Sequence, residues 1–154
     1  MDLKYSIRIK MVMSTNKIHE TLNQAEIQEI KDRVYLLEDD TIIFKSLKYR
    51  SYEASKIMFD KLLELTSNFE FFYAIVDTRE VIERGDANYR KYIISELQKL
   101  PIQFICFIID RNSLFRIVLK FVMSHVVDIP FKLQNNMERA KDEIQKYRNY
   151  VESH

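Results

Sequence analysis

The 154-residue sequence predicts a single α/β domain with a mostly parallel central sheet, and three observations carry that prediction. Segments 71–77 and 102–110 are almost wholly apolar and have the length of strands. Each is followed by a segment with helical periodicity, and a β-hairpin pattern precedes both. Strands that are apolar on both faces and alternate with helices are typical of a parallel sheet covered by helices. The predicted order from residue 33 is therefore β-β-α-β-α-β-α-β-α, with the hairpin as an antiparallel edge.

An N-terminal extension, residues 1–32, precedes the predicted domain, which spans residues 33–154. Apolar residues from Tyr5 to Met13 alternate with polar ones, which is the period-two pattern of a half-buried strand. Residues 17–31 have the pattern of a short polar helix. Met13 is an alternative natural start, in which case the first twelve residues are dispensable.

The predicted domain begins with a hairpin and a helix. The segment RVYLLEDDTIIFKSL, residues 33–47, has two β-rich runs on either side of Asp39 and Asp40, which tolerate turn conformations. In residues 51–68 the apolar side chains recur on one helical face. Ser51 directly precedes this pattern and is the predicted N-cap of the helix.

Helices and strands alternate through the rest of the chain. A helix is predicted from about Asp86 to Lys99, with an inward face of Tyr89, Ile93 and Leu97. A second helix is predicted over residues 113–126, capped by Asn112 or Ser113. A short strand, IPFKLQ, follows it, and Asn136 opens the last helix. The predicted inward face of that last helix consists of Met137, Ala140, Ile144, Tyr147 and Val151.

The helix around residues 114–126 has more apolar surface than a core requires. At ~100° per residue, Arg116, Lys120 and Ser124 form one narrow polar stripe, which leaves an apolar arc of roughly 240°. A surface helix needs only a little more than ~100° to cover a core. The excess predicts a cover: residues 1–32, a second subunit in a homodimer, or an apolar ligand.

The composition argues against several functional classes. The net charge is +1, with 24 basic and 23 acidic residues, whereas nucleic acids and anionic membranes usually bind a concentrated basic surface. Gly85 is the only glycine, so a glycine-rich phosphate-binding loop is not expected. The three histidines are scattered without metal-ligand spacing, and neither a metal nor a cofactor is expected.

Cys106 and the apolar segments indicate a reduced, intracellular environment. The single cysteine lies in FICFIID, where it is expected to be a small buried hydrophobe rather than a reactive thiol. No apolar run approaches the ~20 residues that span a bilayer, so no transmembrane segment is expected. The cytoplasm is the expected location.

Polar side chains at the ends of the two apolar strands are the first candidates for a site. Asp77, Thr78 and Arg79 follow one strand, and Asp110 and Arg111 follow the next. Open α/β sheets place ligand sites at the carboxyl ends of their strands. Alternatively, these residues only end buried strands and satisfy backbone groups of the loops.

Three phrases in the chain resemble a known family. YLLEDDTIIF, FFYAIVDTREV and IPFKLQNNMERAKDEI, together with the element order, are similar to the SpoIIAA-like or STAS-like α/β family, over roughly residues 33–151. The resemblance implies a sheet packed with helices, frequent self-association and a role in protein–protein regulation. A related branch, the CRAL-TRIO domains, binds lipids in a cleft of a similar fold.

The phosphorylated serine of the best-known STAS branch has no counterpart here. The resemblance places that serine near Gly85 and Asp86, and residues 84–88 contain neither serine nor threonine. The phosphorylation switch is therefore not carried over. Asp86 is interpreted as a helix cap, with a constitutive phosphoserine mimic as the alternative.

The sequence thus predicts a non-enzymatic STAS-like module for protein interaction, with a homodimer expected and the protein partner unidentified. The alternative is a carrier of a small apolar or lipid-like ligand in a CRAL-TRIO-like cleft. No set of residues has the spacing of a catalytic nucleophile and base. The predicted partner or ligand surface consists of Asp77, Thr78, Arg79, Asp86, Asp110, Arg111, Phe115, Phe121 and His125.

Overall fold

The computed structural model of the chain describes residues 22–83, 86–110, 114–125 and 127–154. Of residues 114 and 115 it describes the backbone alone. The strand predicted between Tyr5 and Met13 lies outside these residues, as do the predicted caps Asn112 and Ser113.

Five strands and five helices alternate in the described ranges, in the order that the sequence predicts. They are α1 (Gln24–Lys31), β1 (Val34–Glu38), β2 (Thr41–Lys45), α2 (Tyr52–Thr66), β3 (Phe72–Asp77), α3 (Ala87–Gln98), β4 (Ile102–Ile108), α4 (Leu114–His125), β5 (Phe131–Gln134) and α5 (Met137–Glu152). The α/β prediction is confirmed, and the sheet packed with helices that the resemblance implies is present.

The five strands form one sheet in sequence order, β1-β2-β3-β4-β5. β1 pairs with β2 antiparallel, and every other neighbouring pair is parallel. Ile75 in the middle of β3 is opposite Ile43 of β2 and Cys106 of β4. Because β2 to β5 run in the same direction, their carboxyl ends and the loops that follow lie along one edge of the sheet, here named the C-terminal edge.

The two faces of the sheet carry separate apolar layers. Ile42, Val76 and Ile105 point to the face covered by α1 to α4. Ile75 and Cys106 point to the opposite face, which α5 covers through Ala140 and Ile144. β3 and β4 therefore contact a helical layer on both sides, which is why their sequences are apolar throughout.

Side-chain caps fix the starts of four helices. The amide of Ala54 donates to Ser51 Oγ at 3.2 Å, and that of Arg139 donates to Asn136 Oδ1 at 2.9 Å. Asp86 caps α3, and Asn23 caps α1 in a capping box with Glu26. The caps predicted at residues 51, 86 and 136 are confirmed. They are predictable from the sequence because a capping side chain accepts from an amide only three positions later.

Two local predictions are wrong. The helix expected over residues 17–31 does not include residues 22 and 23, because Asn23 is extended and caps a helix that begins at Gln24, and residues 17–21 lie outside the described part of the chain. The sequence predicts an inward-facing Val151, but this side chain is exposed. The buried face of α5 is centred on Ala140 and Ile144, with Met137 and Tyr147 at its borders.

Candidate ligand cavity

The end of β3 carries an ion pair between the buried Asp77 and the exposed Arg79. The Asp77 carboxylate is 7% exposed, and its Oδ2 accepts from Arg79 Nη2 at 2.8 Å. Its Oδ1 accepts from Arg79 Nε at 3.0 Å and from the Arg79 amide at 3.1 Å. Burial alone raises the pKa of Asp77, but the hydrogen bonds from Arg79 outweigh it and lower that pKa. The hydrogen bonds of Asp77 thus stabilise its own loop, which agrees with the alternative that Asp77 and Arg79 only end a buried strand.

The neighbouring residues at this edge differ in their accessibility. Thr78 Oγ1 donates to the Ile108 carbonyl at 2.8 Å, which ties the end of β3 to the end of β4. Asp110 is exposed, and its charge is one of those that raise the pKa of Arg79, after the dominant hydrogen bond to Asp77 and the charge of Asp77 itself. Asp110 and Arg79 therefore lie near each other on the C-terminal edge. Arg111 lies outside the described residues.

A cavity of about 180 Å³ lies beside this edge, between the sheet and helices α2, α3 and α4. Its floor is formed by Phe44, Val76 and Phe107, which stand near the ends of β2, β3 and β4 on the face covered by α1 to α4. The cavity is partly open to solvent, and residues of the loops that follow β2 and β3 contribute to its lining. It thus lies where parallel sheets of this kind hold ligands.

Apolar side chains form most of the wall of the cavity. Met58 and Phe59 contribute from α2, and Leu119, Val122 and Met123 contribute from α4. On the α3 side the apolar wall consists of Ile93, Ile94 and Leu97. Part of the apolar surface of these helices therefore faces the cavity instead of packing against the core.

Two hydroxyl groups meet at one end of the cavity. Ser55 Oγ and Tyr89 Oη are 2.6 Å apart, and both residues line the cavity wall. Ser55 is only 3% exposed. Burial raises the pKa of Tyr89, although its hydrogen bond with Ser55 acts in the opposite direction, so the phenol stays protonated at neutral pH. This pair, here named the hydroxyl pair, joins the first turns of α2 and α3.

Charged side chains connect the loops near the hydroxyl pair. Arg50 Nε contacts Glu83 Oε1 at 2.8 Å, and Arg50 Nη1 contacts Asp86 Oδ2 at 2.8 Å. The amides of Ile82 and Glu83 both donate to the Lys48 carbonyl, at 2.8 and 2.9 Å. The loop after β2 and the loop after β3 are therefore fastened together, and one arginine is matched by two carboxylates.

Asp86 acts as the cap of α3 in this group. Its Oδ1 accepts from the Tyr89 amide at 2.9 Å. That backbone hydrogen bond is the main reason why the pKa of Asp86 is lowered, with the Arg50 charge contributing further. The helix-cap interpretation of Asp86 agrees with this geometry.

Helix α4 has an apolar face that points to solvent. Ile117 is 68% exposed and Phe121 is 61% exposed, whereas Val118 is partly exposed and also lines the cavity. His125 stacks on Phe121 with ring centroids 4.5 Å apart, and its Nδ1 contacts the Phe121 carbonyl at 2.9 Å. The side chain of Phe115 lies outside the described part of the chain. The prediction that α4 has more apolar surface than the core requires agrees with these exposures.

Cys106 lies on the opposite face of the sheet from the cavity. It is fully buried, and burial raises the pKa of its thiol to about 12. A thiol in that state is a poor nucleophile.

No group of three or more His, Cys, Asp or Glu side chains is arranged to hold a metal ion within the described part of the chain. Among residues 22–83, 86–110, 114–125 and 127–154, no helix is both long enough and apolar enough to cross a bilayer.

The structure brings together only part of the predicted site. Thr78 lines the cavity, whereas Phe121 and His125 point away from it on the outer side of α4. Sequence reasoning missed Arg50 and Ser55, which stand at the polar end of the cavity. Ser55 lies one position from a predicted core residue, but nothing in its neighbours indicates that it meets a tyrosine 34 residues later.

No protein-family model, no curated protein and no solved structure matches this chain. The STAS-like resemblance therefore stays a hypothesis based on the quoted motifs.

Proposed function

We propose that this chain is a non-enzymatic, cytoplasmic binding module that takes a small apolar ligand in the cavity between the sheet and α2, α3 and α4. The observation that carries the proposal is the cavity itself, about 180 Å³ of space with a mostly apolar wall at the C-terminal edge of a parallel sheet. The CRAL-TRIO domains, a branch related to the STAS-like family that the chain resembles, bind lipids in a cleft of a similar fold, and this relation supports the same function.

The volume of the cavity limits the size of the ligand. An engineered apolar cavity of about 150 Å³ in another protein stays dry and binds benzene. Pockets for drug-sized molecules run from about 300 to 1,000 Å³. At about 180 Å³, this cavity suits a molecule of one or two rings, or a short chain, better than a complete lipid tail.

Filling the cavity tests the proposal. Toluene is expected to raise the melting temperature of the unaltered protein in a saturable way, because a ligand that binds only the folded state stabilises it. In Val122→Phe, the added ring occupies the cavity, and toluene should no longer raise the melting temperature. Ile117→Phe is the matched control, because it makes a similar change on the exposed side of the same helix.

Two results would contradict the proposal. One is the absence of any toluene effect on the unaltered protein. The other is an equal effect of toluene on Val122→Phe and on the unaltered protein, which would place the binding elsewhere. The melting temperature of Val122→Phe without toluene should not fall much, because the ring enters existing space.

A second candidate function is a STAS-like regulatory module that binds a protein partner or a second copy of itself. The specific observation in its favour is the exposed apolar face formed by Ile117 and Phe121. Contiguous exposed apolar side chains are typical of interaction surfaces. This candidate uses the outer side of α4, whereas ligand binding uses its inner side.

A further inference from the structure

We propose that the cavity selects an uncharged molecule of one or two rings with a single hydrogen-bonding group, which contacts the hydroxyl pair of Ser55 and Tyr89. The inference rests on the proposed function, since it names the class of ligand for the same cavity. Three features carry it: the hydrogen-bonding capacity of the pair, the balance of charge among Arg50, Glu83 and Asp86 at the rim of the cavity, and the position of the apolar wall.

The hydroxyl pair has hydrogen-bonding capacity left for a ligand. Ser55 Oγ and Tyr89 Oη are 2.6 Å apart, and either can donate to the other. Two hydroxyl groups carry two hydrogens and several lone pairs. The contact between them uses one hydrogen, and a backbone hydrogen bond from Ser51 to Tyr89 occupies a lone pair. A ligand hydroxyl or carbonyl inside the cavity can therefore accept the second hydrogen. An apolar ligand leaves this hydroxyl hydrogen without an acceptor. Because Ser55 is buried, the loss of binding free energy is larger than it would be at the surface.

The charges at the rim disfavour an ionised ligand. Arg90 also lines the cavity and is not without a partner. Arg50 already contacts the carboxylates of Glu83 and Asp86, each at 2.8 Å. A ligand carboxylate would have to displace one of these carboxylates to reach the guanidinium. It would also lie near the carboxylate that remained. A ligand cation would lose hydration without gaining an unpaired anion. A neutral ligand leaves the rim intact.

The apolar wall sets the orientation of the ligand. The hydroxyl pair lies at the first turns of α2 and α3. Leu119, Val122 and Met123 of α4 line the same cavity, and their side chains offer a ligand no strong hydrogen bond. A ring that directs its polar group to Ser55 and Tyr89 thus packs its apolar body against α4. This arrangement combines apolar burial with one oriented hydrogen bond, as is common in small-molecule sites.

Three probes of similar size test the inference on the unaltered protein: toluene, p-cresol and p-toluate, measured by calorimetric titration. We expect p-cresol to bind about three- to tenfold more tightly than toluene, which is the gain of one hydrogen bond. We expect p-toluate to bind more weakly than both. Equal affinity for toluene and p-cresol, or tighter binding of p-toluate than of p-cresol, would overturn the inference and leave the proposed function intact.

Variants locate the polar group that the ligand contacts. In the double variant Ser55→Ala and Tyr89→Phe, the preference for p-cresol over toluene should fall to about one, while toluene still binds. Thr78→Val is the matched control, because it removes another hydroxyl that lines the cavity, one that already donates to the Ile108 carbonyl. The preference should persist in this control. Retention of the preference in the double variant, or its loss in Thr78→Val, would overturn the assignment.

The failure of this inference is distinguishable from the failure of the proposed function. If none of the three probes binds the unaltered protein, the cavity is not a ligand site and both proposals fall. If toluene binds but the polar group makes no difference, only the class of ligand is wrong. The comparison of probes on the unaltered protein needs no variant, so it stands even where the double variant does not fold.

Discussion

At the residue scale, the Asp86 carboxylate caps α3 through the Tyr89 amide and also contacts the Arg50 guanidinium. The cap is predictable from sequence, because its partner is three residues away. The contact with Arg50 is not, because 36 residues separate the two side chains and only the fold brings their loops together. Asp77 follows the same rule, since its partner Arg79 is two residues away and local geometry alone accounts for the pair.

Substitution of Asp86 separates its capping role from a role of its charge. Asp86→Ala should lower the melting temperature by a few degrees, because the Tyr89 amide loses its acceptor. Asp86→Asn should keep the melting temperature close to that of the unaltered protein, because asparagine caps helices about as well as aspartate. Thermal unfolding followed by circular dichroism measures both. A large loss in Asp86→Asn would contradict the cap and favour a role for the negative charge.

At the element scale, one arginine fastens α5 to the hairpin. Arg148 Nη2 donates to Asp40 Oδ1 at 2.6 Å and to Thr41 Oγ1 at 3.0 Å, so it holds the turn between β1 and β2. Its Cζ also lies 5.1 Å from the centre of the Tyr73 ring, within the range of a cation–π contact. The side chain is only 18% exposed, so these contacts are screened less than those of a surface pair.

Removal of this fastening should destabilise the whole domain. Arg148→Ala is expected to lower the free energy of unfolding by about 1–3 kcal/mol, because the hydrogen bonds to Asp40 and Thr41 and the cation–π contact with Tyr73 are all lost. Urea unfolding measures the change. Lys146→Ala is the control on the same helix, since Lys146 is exposed and its contact with Glu143 is 3.8 Å long, and it should cost less than about 0.5 kcal/mol. Equal losses in the two variants would contradict the fastening role.

At the scale of the whole molecule, α4 separates two surfaces that the two candidate functions use. Its inner side lines the cavity through Leu119, Val122 and Met123. Its outer side exposes Ile117 and Phe121. An apolar arc wider than a core needs is therefore divided between a cavity and solvent.

Self-association through the outer side of α4 predicts a mass that depends on concentration. Sedimentation equilibrium of the unaltered protein should show a shift from monomer to dimer as concentration rises, and Phe121→Ser should reduce that shift, because it removes exposed apolar area. Leu63→Ser is the control, because Leu63 is an exposed leucine on α2, away from this face. A protein that is monomeric at every concentration would contradict the homodimer, and an equal effect of both variants would contradict the assignment to α4.

The sequence by itself determined the order of strands and helices, the hairpin and three of the helix caps, because each depends on residues a few positions apart. Apolar runs at 71–77 and 102–110 also indicated strands that are covered on both sides. Tertiary structure decided which face each helix covers, where a gap remains between α2, α3 and α4, and which polar groups meet there. Ser55 meets Tyr89, and Arg50 meets Glu83, across more than 30 residues of chain. Such contacts depend on the packing of whole helices, which no local pattern of residues specifies.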